Sequence, residues 1–389
     1  MSIKKVFAHF FSSLQSKKTK PPFRAMKIDP KNALTDAKAL PTPTTYNERL
    51  HALACLGERI KDLVAMPNLL EAARWVGESY RQNAWFTPSS LAFALSEWAA
   101  LLDPTALEAW VAPYRTALEK ADKKQMRKVG LIAAGNIPLV AFHDWLAIFV
   151  SGNQAQVKLS SKDTVLLPAL LEILVEIFPT AATQIQFFPH LLKEAHAYIA
   201  TGSDNSTRYF AYYFDKYPHL IRSNRTSIAV LQGNESAEDL ANLHTDIFTY
   251  FGLGCRNVSK IFVPEGYDFN PLLDIFYEKG KDLMQHNKYA NNYDYNKAVY
   301  LMNQIPHLDA GTCLIKHDEG LFSPTAVLYA QTYRNQDEVE NFATLWQNKI
   351  QCRVGKGGLS FGTAQKPRLN DYADNLDTMD FLLNLKNEI

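Results

Sequence analysis

The chain has 389 residues, 47% of them apolar, which is enough for two or three compact lobes with cores of their own. Lys and Arg number 41 against 40 Asp and Glu, so no global field draws it to nucleic acid or an anionic membrane, and any anion must be bound locally. The four cysteines, Cys55, Cys255, Cys313 and Cys352, form no C-x-x-C pair, which argues against a zinc ribbon or a disulfide scaffold and for reduced thiols in the cytoplasm.

Residues 1–44 begin with a basic, briefly apolar stretch broken by His9, Ser12 and Ser13, and "KKTK" stands where a secretory cleavage site would need small residues. A disordered extension is expected there, and no stretch reaches the roughly 18 uncharged apolar residues that span a bilayer. Residues 45–226 start with helices: apolar side chains recur at three and four, and Asp, Pro, Ser and Thr mark the starts. After Lys128, strands alternate with helices: "VGLIAA", a helix from Pro138 to Ser151 apolar nearly all round, "QAQVKL", "TVLLPALLEILVEIF", "TQIQFF" and "AYIA". That alternation predicts parallel βαβ units and a doubly wound α/β sheet, which binds ligands at the carboxyl ends of its strands. Residues 227–350 carry strands "TSIAVL", "KIFVP" and "TAVLYAQTY" among helices, a second α/β lobe, and residues 351–389 are expected to pack back on the body.

Three strand-end turns could carry chemistry. "AAGNIP" aims backbone N–H groups at whatever lies above the sheet and places the Asn136 amide there, although an asparagine in a turn is also an ordinary cap. Lys158 ends the next strand, and Ser160, Ser161 and Lys162 make a basic, hydroxyl-rich turn of the kind that accommodates a 2′-phosphate, or a merely solvated strand end. Gly202 and Ser203 follow "AYIA", where small residues let a pyrophosphate approach the backbone. Cys255 sits in "FGLGCRN" after a helix that opens with Ser236 and Asp239 at capping-box spacing and ends near Phe251. Gly252 and Gly254 free the backbone around it, and Arg256 is placed to favour a thiolate, whereas a lone cysteine is more often core.

Taken in order, "AAGNIPL", "GNQAQVKLSS", "ATGS", "FGLGCRN" and "GLFSP" resemble the aldehyde dehydrogenase superfamily, and most closely its luminescence-type fatty acyl-CoA reductase branch, from about Val129 to the C-terminus. The resemblance implies a Rossmann-like nucleotide-binding domain joined to an α/β catalytic domain, with the active site between them. It makes Cys255 the nucleophile and Asn136 an oxyanion-hole donor. Lys158 matches the lysine on the adenosine ribose, Gly202 and Ser203 the turn near the pyrophosphate, and Phe322 the phenylalanine beside the nicotinamide. Three departures matter: "HLIRSNR" has no water-activating glutamate, Gly320 replaces the glutamate on the nicotinamide ribose, with Glu319 or Asp318 as substitutes, and Ser161 replaces an acid that favours NAD.

The expected function is therefore NADPH-dependent reduction of an acyl thioester, on CoA or an acyl carrier protein, to an aldehyde through an S-acyl cysteine, with NADP(H), or NAD(H) in its place, and no metal. The alternatives are a cysteine acyltransferase or thioesterase using a base such as His244, and a nucleotide-binding relative without catalysis. The link from "LEKADKKQ" to the first strand is too short for the superfamily's oligomerisation hairpin, which leaves the oligomeric state open.

Overall fold

The computed structural model describes residues 44–66, 70–189 and 195–385, so the expected extension over residues 1–44 lies outside the described residues except at Thr44. The chain divides into two compact units: one takes the described residues up to Thr201, Arg208–Ile221 and the described residues from Asp377, the other Gly202–Thr207 and Arg222–Leu376.

Among its described residues the first unit begins with the α-helices α1 (Tyr46–Ala65), α2 (Leu70–Gln82), α3 (Pro88–Leu101), α4 (Pro104–Val111) and α5 (Arg115–Ala121). Their starts follow from sequence chemistry. Thr45 and Glu48 form a full capping box on α1, while Thr87 and Asp103 cap α3 and α4 just before a proline whose missing N–H is not needed there. Strands and helices then alternate as β1 (Lys128–Ile132), α6 (Phe142–Val150), β2 (Gln154–Lys158), α7 (Leu166–Ile177), β3 (Ile185–Phe187), β4 (Ala197–Thr201), α8 (Asp204–Phe214) and β5 (His219–Arg222). The strand order is β3-β2-β1-β4-β5, and β1 pairs in parallel with both β2 and β4. This is the expected doubly wound arrangement.

The all-apolar helix is buried as predicted: Phe142, Trp145 and Phe149 stack along α6 with ring centroids 5.7 and 5.1 Å apart, and each is at most 1% exposed. It starts four residues later than expected, because the chain from Asn136 to Ala141 runs as turns with Leu139 at φ 60°. The short C-terminal helix Thr378–Leu383 packs on α6 and α5, with Met379 and Leu382 buried.

The second unit is built on a six-stranded sheet of order β11-β6-β7-β10-β9-β8. Its elements run β6 (Thr226–Val230), α9 (Ala237–Phe248), β7 (Val258–Pro264), α10 (Asn270–Gly280), α11 (Asn287–Met302), β8 (Leu308–Asp309), β9 (Leu314–His317), β10 (Val327–Tyr333), α12 (Gln336–Leu345) and β11 (Ile350–Gly355). All pairs are parallel except β8 with β9. Position 350, where the sequence suggested the catalytic segment would end, begins β11, so the second sheet continues past it. The tyrosines of α8 and α11 differ in burial, and Tyr295 of α11 is exposed. Tyr289, Tyr293 and Tyr300 of α11 are buried, whereas Tyr209, Tyr212 and Tyr213 of α8 face solvent while Phe210 and Phe214 pack with Tyr198.

Candidate functional site

In the first unit, two of the singled-out turns leave neighbouring strands at the same level, since Ile132 of β1 pairs with Lys158 of β2. The turns touch: a Cβ on Gly135 would come within 2.5 Å of Ser160 Oγ and 2.8 Å of its Cβ. Only glycine fits, so the glycine of "AAGNIP" is there for the close approach of two loops. Asn136, next to it, is exposed. The rest of its turn is clamped by two contacts, and the turn after β2 by a third. The Asn83 side-chain amide donates to the Gly135 carbonyl at 3.3 Å, the Leu139 N–H donates to Asp163 Oδ2 at 3.1 Å, and Gln82 and Thr164 exchange two hydrogen bonds at 2.7 and 3.0 Å.

Asp163 is 7% exposed, its Oδ1 has no protein partner, and burial pushes its carboxyl up to about 6 against the pull of the Leu139 and Leu166 N–H groups. Ser160 Oγ accepts from the Lys162 N–H at 3.2 Å, and Ser161 and Lys162 are exposed beside the half-buried Lys158. Gly202 and Ser203 follow β4 directly. Ser203 caps α8 by accepting from the Ser206 N–H at 3.4 Å, so its hydroxyl already has a local role.

In the second unit, the helix before the cysteine has the predicted capping box of Ser236 and Asp239 but ends at Phe248, earlier than expected. Tyr250, Phe251 and Gly252 then all take left-handed backbone, at φ 54°, 59° and 77°. Two bulky residues in that region are strained and must be held there. Asn257 holds them. Its buried amide donates to the carbonyls of Asp246, Ile247 and Thr249 at 3.2, 3.1 and 2.8 Å and accepts from the Gly254 N–H at 2.7 Å, so it ties off the helix end and the cysteine turn together. Asp246, fully buried, accepts from the N–H groups of Gly362 and Ala364 at 2.7 and 2.9 Å and brings that segment against the turn.

Cys255 is thus presented on an over-determined loop. Its carbonyl accepts from Ser227 Oγ at 3.2 Å, and the same hydroxyl lies 3.1 Å from Cys352 Sγ. The residue keeps some contact with solvent, yet its surroundings are dense and burial pushes the thiol up to about 11. The expected help from Arg256 is real in sign but smaller than the effect of burial, and Nε of that side chain donates to the Ala364 carbonyl at 2.5 Å. Burial thus favours the thiol form of Cys255 over the thiolate that Arg256 was expected to favour. Asp374, whose charge also reaches the thiol, pairs with Arg225 Nε at 3.1 Å and accepts from the Ser223 N–H at 3.3 Å. His244 lies among the rings of Phe248 and Phe276, at centroid distances of 4.7 and 5.7 Å.

Phe322 is 36% exposed and stands edge-on to Trp346 at 6.5 Å. The glycine before it has a local reason. The Gly320 N–H donates to Asp318 Oδ1 at 2.7 Å, and a Cβ at Gly320 would approach that oxygen to 2.9 Å. The other Asp318 oxygen pairs with Lys316 at 2.6 Å, which leaves Glu319 as the exposed acid of the loop. Among the described residues no cluster of His, Cys, Asp or Glu could hold a metal ion, and no helix is long and apolar enough to cross a membrane. Sequence reasoning missed Asn83, Asp163, Ser227, Asp246, Asn257 and Lys260. Only Lys260 left a clear signal, a lone charge in the apolar run of β7.

Solved structures of similar architecture are aldehyde dehydrogenases. Aldehyde dehydrogenase 21 of Physcomitrella patens, in complex with the reaction product succinate, matches with TM-score 0.58 and 12% identity over 88% of this chain and 85% of that one. A Mycobacterium tuberculosis aldehyde dehydrogenase complexed with NAD+ matches with TM-score 0.57 and 15% identity over 81% and 74%. An NAD-dependent aldehyde dehydrogenase of Sinorhizobium meliloti does so with TM-score 0.57 and 12% identity over 86% and 74%. The chain has the aldehyde dehydrogenase fold. At such identities the likeness is one of fold, and neither a protein-family model nor a curated protein matches the sequence.

Proposed function

We propose that the chain reduces an acyl thioester, on CoA or an acyl carrier protein, to an aldehyde through an S-acyl-Cys255 intermediate, with NADP(H) as the preferred cofactor. One observation carries the reading. The loop before β7 presents a cysteine on a backbone fixed by Asn257, while the acid whose charge reaches it, Asp374, is held by Arg225 and Ser223 rather than disposed to activate water. A thiol site without a water-activating base suits transfer between thiols better than hydrolysis.

The chain's own residues fit a dinucleotide. Lys158 and the Ser160–Lys162 turn offer cationic and hydroxyl groups for a phosphorylated ribose, and no acid stands at Ser161 to repel it. When bound, the nicotinamide supplies a hydride to the thioester carbonyl. In this reading the Cys255 sulfur attacks the thioester carbonyl, the Cys255 N–H and the Asn136 amide donate to the oxyanion that forms, and its collapse breaks the bond to the CoA or carrier sulfur, which leaves with the proton given up by Cys255. Phe322 would pack beside the nicotinamide, and Lys158 would hold the adenosine ribose.

The test is to incubate the protein with acyl-CoAs of increasing length, with and without NADPH, and to follow thiol release and NADPH absorbance together. Wild type should consume NADPH and release one thiol per turnover. Cys255→Ala should abolish both, and Asn136→Ala should slow turnover about 100-fold with NADPH affinity unchanged. Reductase activity retained in Cys255→Ala would refute the reading.

A further inference from the structure

Lys260 lies in the middle of β7, five residues after Cys255, and is fully buried. Among the described residues no carboxylate forms an ion pair with its ammonium. Its Nζ donates to two backbone carbonyls, Asp318 at 2.6 Å and Gly320 at 3.0 Å, and sits over the rings of Phe342 and Phe262 at 4.7 and 5.4 Å. The neighbouring Ser259 hydroxyl donates to the Leu321 carbonyl at 2.7 Å. Two adjacent residues of one strand therefore take three carbonyls of the loop immediately before Phe322.

A loop of this kind would otherwise turn its carbonyls to water, since buried unpaired carbonyls are costly. Here the carbonyls point inward to a cation, and the side chain of Phe322 is left outward against Trp346. Keeping an ammonium in this apolar setting is unfavourable, as the fall of its pKa to about 8 through burial shows, although the charges of Asp318 and Glu319 oppose it. A neutral apolar residue would suit β7 better unless the cation holds something that matters.

We propose that Lys260 is a positioning residue for the nicotinamide: by fixing the carbonyls of Asp318 and Gly320 it sets the 318–322 loop, and with it Phe322, for hydride transfer. This rests on the proposed function. Since Lys260 acts only on the loop, acylation of Cys255 should proceed without it while reduction of the acyl enzyme should not. Both steps can be read on one protein, by quenched-flow release of CoA thiol without cofactor and by single-turnover loss of NADPH absorbance.

Lys260→Met and the milder Lys260→Gln should keep the thiol burst within about twofold of wild type. They should slow the NADPH step by roughly tenfold or more. With no cofactor present, backbone amides of residues 318–322 should exchange hydrogen roughly tenfold faster in the variants, by mass spectrometry of that segment. Equal loss of both steps, an unchanged NADPH step, unchanged exchange, or failure of both variants to fold would each overturn the proposal, in the last case by assigning Lys260 to the fold at large. Wild-type protein that acylates but never oxidises NADPH, or does neither, would refute the proposed function itself before any variant is compared.

Discussion

At the scale of single residues, the chemistry of Cys255 is set by a contest between desolvation and charge. Arg256 pulls its pKa down, but burial pushes it further up, to about 11. At pH 8 only about one molecule in a thousand would then carry the thiolate, which is the reactive form. Alkylation by iodoacetamide should accordingly be slow at neutral pH and rise about tenfold per pH unit between pH 8 and 10. A plateau reached by pH 8 would show that Arg256 dominates after all. The fully buried Cys313, pushed higher still, should stay unlabelled in the native protein throughout, and since Cys55 and Cys352 are partly accessible too, the label on Cys255 is read by peptide mapping.

At the scale of elements, the turns that follow β1 and β2 behave as one unit because Asp163 joins them. Its carboxyl titrates near 6 rather than the ordinary 3.8, so the folded chain holds that proton more tightly than the unfolded one. The sign follows: this contribution to stability is complete below pH 3.8 and is lost as the pH rises through about 6. A shift of that size corresponds to on the order of 3 kcal/mol. Asp246, likewise pushed to about 6 by burial, acts in the same sense. Asp163→Asn keeps an acceptor for the Leu139 N–H without burying a charge. It should be at least as stable as wild type at pH 8 by urea unfolding, and should show a smaller gain on acidification from pH 7 to 5. A variant destabilised by more than about 1 kcal/mol at pH 8 would mean that the hydrogen bonds to the charged carboxylate outweigh its desolvation.

At the scale of the whole molecule, what the sequence displays is what local period and cap chemistry control. The alternation of strands and helices, the capping box at Ser236 and the burial of the helix "FHDWLAIFV" depend on neighbours a few residues apart, so they can be read directly. The left-handed run Tyr250–Gly252 could not be, because it is imposed by Asn257 and by contacts that only folding creates. Candidate site residues were legible as residue types at strand ends; their clamps Asn83 and Asp163 act across separations of tens of residues and leave almost no local trace, while Lys260 shows as a lone charge in an apolar strand whose distant partners the sequence does not name. The same holds for Arg49, which looks like an ordinary charge in an amphipathic helix. It is 2% exposed, pairs with Asp122 at 2.5 Å and gives two hydrogen bonds to the Val150 carbonyl at the end of α6, joining the helical front end to the layer packed on the first sheet. A cation at a helix C-terminus is favourable, and removing one partner of a buried pair strands the other. Arg49→Met should therefore cost about 3–5 kcal/mol in urea unfolding followed by tryptophan fluorescence, and adding Asp122→Asn should recover part of it. The exposed pair of Lys61 and Glu58, at 3.4 Å, supplies the control, since Lys61→Ala should change stability by less than about 0.5 kcal/mol. If the two substitutions proved equivalent, Arg49 would be a surface charge in energetic terms and the front end would be held by apolar packing alone.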